Sequence, residues 1–202
     1  MIGSAGQSHT CIILSDGTLK CFGRNTDGQL GLGHTRTIGD EPGEMGDNLP
    51  VVNLGTNRTV LLLACGFAHT CAVLDSGRVK CFGLNSSGQL GLGHTRSIGT
   101  QPGEMGEDLE YVDLGTLSRP ATMQSGAACT CIAFEDGSFK CWGSNSYGQL
   151  GLGDTDARGD GPNEMGYALP ALDLGPDFFA VDIGSGYDSI CARSRAGQIK
   201  CV

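Results

Sequence analysis

His69-Thr70-Cys71-Ala72-Val73-Leu74-Asp75-Ser76-Gly77-Arg78-Val79-Lys80-Cys81-Phe82-Gly83 is the stretch whose reading fixes the architecture. Two short apolar runs flank Asp75-Ser76-Gly77. If Cys71 and Cys81 face each other, Leu74 faces Arg78 and the connection is three residues long. Such a hairpin loop takes a type I turn followed by a left-handed residue, which glycine supplies best. Gly77 stands at that third position. Counting outward from the closing pair puts Cys71 and Cys81 on a non-hydrogen-bonded pair, where Cα atoms approach to about 4.5 Å. A disulfide bridges that separation.

The same hairpin recurs every 60 residues: His69-Thr70-Cys71 is preceded by His9-Thr10-Cys11 and followed by Cys129-Thr130-Cys131 and Ser189-Ile190-Cys191. Ten residues after each leading cysteine comes a second, at Cys21, Cys81, Cys141 and Cys201. The loop glycine recurs as Gly17, Gly77, Gly137 and Gly197. The spacing therefore predicts the disulfides Cys11–Cys21, Cys71–Cys81, Cys131–Cys141 and Cys191–Cys201. In the chain-entropy view each short loop contributes about 2.5–3 kcal/mol. Free thiols and a four-cysteine zinc site are the rival readings, and neither requires a ten-residue spacing repeated in every unit. Cys65 and Cys129 are left over. Both fall near the turn between first and second strands in neighbouring units, so an inter-blade Cys65–Cys129 bond is expected to complete the set.

One unit reads as four short strands, at Thr59–Cys65, His69–Leu74, Arg78–Phe82 and Tyr111–Leu114. Short strands at regular spacing between Gly-rich turns indicate a β-propeller blade. Repeats lie at about 1–60, 61–120, 121–180 and 181–202, the last incomplete. The long polar stretch between third and fourth strands exceeds an ordinary connection and is expected to protrude from the blade rim. It carries Glu44-Met45-Gly46, Glu104-Met105-Gly106 and Glu164-Met165-Gly166. An all-β fold suits a chain with 34 glycines in 202 residues, because interior glycine weakens helices.

The pattern His-Thr-Cys, then Gly, then Lys-Cys-[Phe/Trp]-Gly-x-Asn-x-x-Gly-Gln-Leu-Gly-Leu-Gly spans His9–Gly33, His69–Gly93 and Cys129–Gly153. It resembles the regulator of chromosome condensation repeat. That resemblance implies a β-propeller, usually of seven blades, and slightly under four blades are present here. A fragment of a longer chain, or open blade edges that pair with other chains including copies of itself, is the expected consequence. The family's functions include nucleotide exchange on a nuclear GTPase, chromatin binding and secreted inhibition of β-lactamase.

Chemistry beyond the scaffold is sparse. Gly28-Gln29-Leu30-Gly31-Leu32-Gly33 lacks the Lys-[Ser/Thr] of a phosphate loop and reads as a turn. No catalytic, cofactor-binding or metal constellation recurs across the units. Asp40, Glu41, Glu44 and Asp47 offer calcium-type oxygens, but only the Glu persists in the other copies. The favoured reading has Met45, Met105 and Met165 anchoring the loops while the carboxylates face water. Sequons at Asn57-Arg58-Thr59 and Asn85-Ser86-Ser87 mark candidate N-glycans. A net charge of −9 argues against nucleic-acid partners. No apolar run is long enough to span a membrane. Met1–Gly6 shows neither a basic n-region nor an apolar h-region, so an export signal is expected to be removed or to lie upstream. Paired cysteines indicate an oxidising compartment. The expectation is an extracellular, non-catalytic structural or interaction module, such as a repeat of a surface or appendage glycoprotein, whose partners are other protein chains. A nuclear exchange factor or chromatin-binding propeller is one rival; a secreted enzyme or enzyme inhibitor is the other.

Overall fold

The computed structural model describes residues 2–202, which form four three-stranded antiparallel sheets. The first holds β1 (Ile2–Ala5), β2 (His9–Ile13) and β3 (Leu19–Gly23). The second holds β4 (Val60–Cys65), β5 (His69–Leu74) and β6 (Val79–Gly83). The third holds β7 (Pro120–Ser125), β8 (Cys129–Phe134) and β9 (Phe139–Gly143). The fourth holds β10 (Ala180–Ser185), β11 (Ile190–Ser194) and β12 (Ile199–Cys201). First strands of successive sheets pack on one another, β1 on β4, β4 on β7 and β7 on β10. The sheets are consecutive blades of a partial β-propeller.

The hairpin register follows the alternation in the sequence. Cys71 faces Cys81, Ala72 faces Lys80 and Val73 faces Val79. Gly77 closes the loop at φ +78°, donating its N–H to the Leu74 carbonyl. Disulfides join Cys11–Cys21, Cys71–Cys81, Cys131–Cys141 and Cys191–Cys201, with Cα separations of 4.0–4.2 Å. Each therefore sits on the close, non-hydrogen-bonded pair of its hairpin.

The fourth strand does not form as a strand. Val112 makes one isolated bridge to Val79, and Val51 one to Lys20. The carbonyls ending this segment, Leu54 and Leu114, accept from the ammonium groups of Lys80 and Lys140 in the next blade. Each lysine also donates to a carbonyl of its own blade, Gly106 for Lys80 and Gly166 for Lys140. Lys80 is wholly buried. Burial pulls its pKa down, opposed by the nearby Glu107 carboxylate.

A second polar joint is buried between blades. Thr70 Oγ1 donates to the Gln29 carbonyl at 2.9 Å and Thr130 Oγ1 to the Gln89 carbonyl at 3.2 Å. Each hydroxyl has then given its only proton, so His9 Nε2–H donates to Thr70 Oγ1 and His69 Nε2–H to Thr130 Oγ1, at 2.9 and 3.0 Å. The Nδ1 atoms of both histidines are buried without a partner. Desolvation lowers the pKa of His9 to about 4 and that of His69 to about 3, so both are neutral rings.

Two sequence expectations are corrected. Cys65 and Cys129 do not pair; both are buried free thiols. Cys65 lies on the face of the second sheet that meets His9 and Cys11 of the first. Cys129 occupies the repeat position of His69, whose ring points to the following blade, and it lies against Gly126 beside Asp188. The two thiols thus point in opposite directions along the array. Asn85 is also unsuited to a glycan. It is wholly buried, its amide donates to the His94 and Arg96 carbonyls, and its oxygen accepts from Leu90 N–H. Asn25 makes the same set, so the Asn is a turn brace. Asn57 is exposed and left-handed at φ +55°, as is Asp177 at the equivalent position.

Lys80→Met keeps the aliphatic stem but leaves two buried carbonyls without a donor, which costs about 1–3 kcal/mol for each unsatisfied group. Urea midpoints are expected to drop clearly for Lys80→Met and little for Lys20→Met, whose partly exposed ammonium makes a single bond to Gly46. Equal losses would refute the clamp. Acid provides a second test. Below pH 6.5 the unfolded chain takes up protons at His9 and His69, whereas the folded chain resists until about 4 and about 3. Stability therefore falls as pH drops from 6.5. His69→Gln is expected to flatten that slope by on the order of 2 kcal/mol between pH 6.5 and 4. An unchanged pH profile in that variant would contradict the buried neutral ring.

Candidate interaction surface

The long rim segments are straps with exposed tips. Glu104 folds back so that one carboxylate oxygen accepts the N–H groups of Gly99, Thr100 and Gln101. Glu164 does the same for Gly159, Asp160 and Gly161, and Glu44 for Gly39 and Glu41. The Gly39 N–H in particular holds Glu44 below the usual carboxylate pKa. The shared Glu therefore does not face water, contrary to the sequence expectation. Its outer oxygen pairs with Arg96 in the second unit, at 3.1 Å.

Each strap is tied to the preceding blade. Gly106 N–H donates to the Asn53 carbonyl and Gly166 N–H to the Asp113 carbonyl, both at 3.0 Å. Glu107 accepts the Thr56 N–H at 2.7 Å. Met105 and Met165 anchor the straps, as expected, but on the neighbouring blade. A Cβ added at Gly31 would meet Met105 Cε at 2.9 Å, and one at Gly91 would meet Met165 Cε at 3.0 Å. Met45 is exposed. The Gly-Leu-Gly turn of one blade and the strap of the next are thus interlocked, and Trp142 Nε1 adds a bond to the Gln89 carbonyl.

Only the tips stand free. Pro42-Gly43, Pro102-Gly103 and Pro162-Asn163 are exposed, with φ of +87°, +86° and +65° at the second residue. Proline followed by a left-handed residue is the type II turn signature, a signal present in the sequence. The residues before them differ from copy to copy: Asp40-Glu41, Thr100-Gln101 and Asp160-Gly161. Beside the tips, grooves open at the blade junctions. One of about 480 Å³ is lined by Leu32, Val51, Pro102 and Met105, and its counterpart of about 360 Å³ by Leu92, Tyr111, Pro162 and Met165. Tyr147 and Tyr167 are 80% and 88% exposed, so the third unit adds two aromatic rings to the surface.

A second concavity of about 250 Å³ forms where the turns between first and second strands converge. Gly6, Gly66, Gly126 and Gly186 line it with Cys65, Phe67 and Tyr187. Phe67 meets Tyr187 edge-on at 6.4 Å, and backbone bonds run from Phe67 N–H to the Ala127 carbonyl and from Ala127 N–H to the Tyr187 carbonyl. Of the sequence-predicted residues, the eight hairpin cysteines come together in pairs, Cys65 reaches this mouth, and Asn57 stands apart on an exposed turn. The clamp lysines and the buried threonines were not singled out by sequence, although Lys20, Lys80, Lys140 and Lys200 each precede the second hairpin cysteine.

Comparison with known proteins agrees with this construction. The family profile of the regulator of chromosome condensation (RCC1) repeat matches residues 3–29 and 60–89. The X-linked retinitis pigmentosa GTPase regulator of Mus musculus is 35% identical over 151 residues, which is 75% of this chain and 14% of that protein. Human WBSCR16 superposes with a TM-score of 0.74 at 18% identity, over 100% of this chain and 46% of its own. Prp20p of Saccharomyces cerevisiae gives 0.65 at 15%, over 99% and 42%. This chain therefore spans a minor part of the proteins it resembles. With hairpin, turn and junction repeated in register, it belongs to the regulator of chromosome condensation repeat family, as a variant with a disulfide in each hairpin.

Proposed function

We propose that this chain is a non-catalytic protein-interaction module of an oxidising, extracellular setting, contacting other protein chains through the rim at 38–49, 98–109 and 158–169. The observation that carries the reading is the contrast within each strap. Its base is held by carboxylate, lysine and backbone bonds, while its tip changes chemistry from copy to copy. Rigid frames with variable exposed tips lower the ordering cost of binding. Four disulfides support the oxidising setting, because thiols are kept reduced in most cytosolic compartments. The exposed Asn57 sequon supports a glycoprotein.

A second reading, contact with a small GTPase, is favoured by two similar proteins: the mouse relative is named a GTPase regulator, and the Prp20p structure is reported with its binding to Gsp1p and histones. The net charge of −9 weighs against a nucleic-acid partner under either reading.

Two measurements test the proposal. Expressed through a secretory pathway that glycosylates, the protein is expected to lose the mass of one glycan on endoglycosidase treatment, and Asn57→Gln is expected to abolish that loss. A glycan that survives Asn57→Gln, or none at all, contradicts the glycoprotein assignment. A photo-crosslinking residue placed at Tyr167 is expected to capture a protein partner that one placed at Thr59, beneath the hairpin loop of the first blade, does not. Equal capture at both positions counts against the rim, and a small GTPase as the adduct selects the second reading.

A further inference from the structure

The junction between the first two blades differs from the others in one atom type. Cys65 ends β4 where the equivalent residues are Ala5, Ser125 and Ser185. Its sulfur, the Cys11 sulfur and a ring nitrogen of His9 all lie within 4.8 Å of one another, and all three residues are buried. Cys21, fully buried, is bonded to Cys11 from the facing strand. His9 also carries a buried Nδ1 with no hydrogen-bond partner. The next junction has His69, Cys71 and Cys81 but Ser125; the one after has Cys129, Cys131 and Cys141 but Ser185. Only the first combines a histidine with three sulfurs.

We propose that this junction is a redox-gated site for a thiophilic divalent cation of the zinc class, closed while Cys11–Cys21 is intact and opened by its reduction. A dithiol reductant supplies two electrons and two protons, breaks the Cys11–Cys21 bond and leaves as its own cyclic disulfide. Cys11, Cys21 and Cys65 are then thiols. The cation displaces their three protons and takes the Cys11 and Cys65 thiolates and the neutral His9 ring, and Cys21, which lies outside that cluster while bonded to Cys11, turns in as the fourth ligand of a tetrahedral Cys₃His set. Zinc–sulfur bonds near 2.3 Å and zinc–nitrogen bonds near 2.0 Å separate tetrahedral ligands by about 3.3–3.8 Å, so the existing trio needs to contract by about 1 Å. Cys65 lines the mouth where the strand turns converge, so the site lies one residue beneath an open concavity. Cys11 belongs to β2 and Cys65 to β4, so the bound cation would cross-link two blades that no disulfide joins.

The test separates the site from the other disulfides. Cys21→Ser leaves Cys11 and Cys65 as thiols beside His9 while the other three hairpins stay oxidised, so folding does not depend on a reductant. Titrated with cobalt(II) alone under anaerobic conditions, this variant is expected to take one equivalent, with the visible bands of tetrahedral cobalt and near-ultraviolet thiolate charge transfer. Zinc is expected to displace it. Adding Cys65→Ser is expected to raise the apparent dissociation constant at least about tenfold and to weaken the charge-transfer band by about half, Cys11 being the thiolate that remains. Adding Cys129→Ser is expected to change neither. The oxidised parent is expected to show no bands. Absence of cobalt bands in Cys21→Ser, or equal binding with and without Cys65, overturns the proposal.

Discussion

A buried ammonium at each of the first two blade junctions, Lys80 and then Lys140, organises this array. Lys80 reaches back to the Leu54 carbonyl of the preceding blade and across to the Gly106 carbonyl of its own strap, with no exposed surface. Two carbonyls stand in for the water such a cation loses, and the Tyr111 ring adds its face at 4.5 Å. The strap turns inward to bring the Gly106 carbonyl to the lysine, so the tied-down rim loop is one consequence of a satisfied charge.

Disulfides and hydrogen bonds divide the work by direction. Each disulfide acts within a hairpin, closing a loop of ten residues in sequence separation. Coupling between blades adds buried polar bonds to a shared apolar core: Thr70 to Gln29, Thr130 and Trp142 to Gln89, and the lysine clamps. Glycine at 31 and 91 lets Phe82, Trp142 and the strap methionines close over the turn, since a Cβ there would stand within 3.0 Å of them. In a repeat array stability is a sum of unit and nearest-neighbour terms. Here the unit term includes a disulfide and the neighbour term combines apolar packing with desolvated hydrogen bonding, so a junction defect is felt by the two blades that share it.

What the sequence disclosed was local. Alternation, the Gly77 loop and the ten-residue cysteine spacing fixed the hairpin to the residue, because partners there are close in the chain and governed by a period of two. What it withheld lies across longer separations. The partners of Lys80 are each 26 residues away and the acceptor of Thr70 is 41 away, so no periodicity points to them. The Cys65–Cys129 pairing failed because proximity in repeat position says nothing about which face of a sheet a side chain takes. Asn85 read as a sequon because three residues cannot report burial. Pro42-Gly43 and Pro102-Gly103 did carry a readable turn signal, and the strap tips were accessible from it.

Shared architecture leaves function to the surface. This fold supports proteins with different partners, so identity of hairpin and turn cannot choose among them. The residues that hold the junctions have one job each and no freedom to serve another: Asn85 has spent its amide, Glu104 its inner oxygen and Lys80 its protons on the backbone. Selectivity must therefore come from side chains the frame does not use, which here are the tip residues, the groove walls and the exposed Tyr147 and Tyr167. Those rings lie only in the third unit, whereas acidic Asp40 and Glu41 mark the first. The rim thus differs in chemistry from one end to the other, which is the property a surface needs if a partner is to recognise it in a single register.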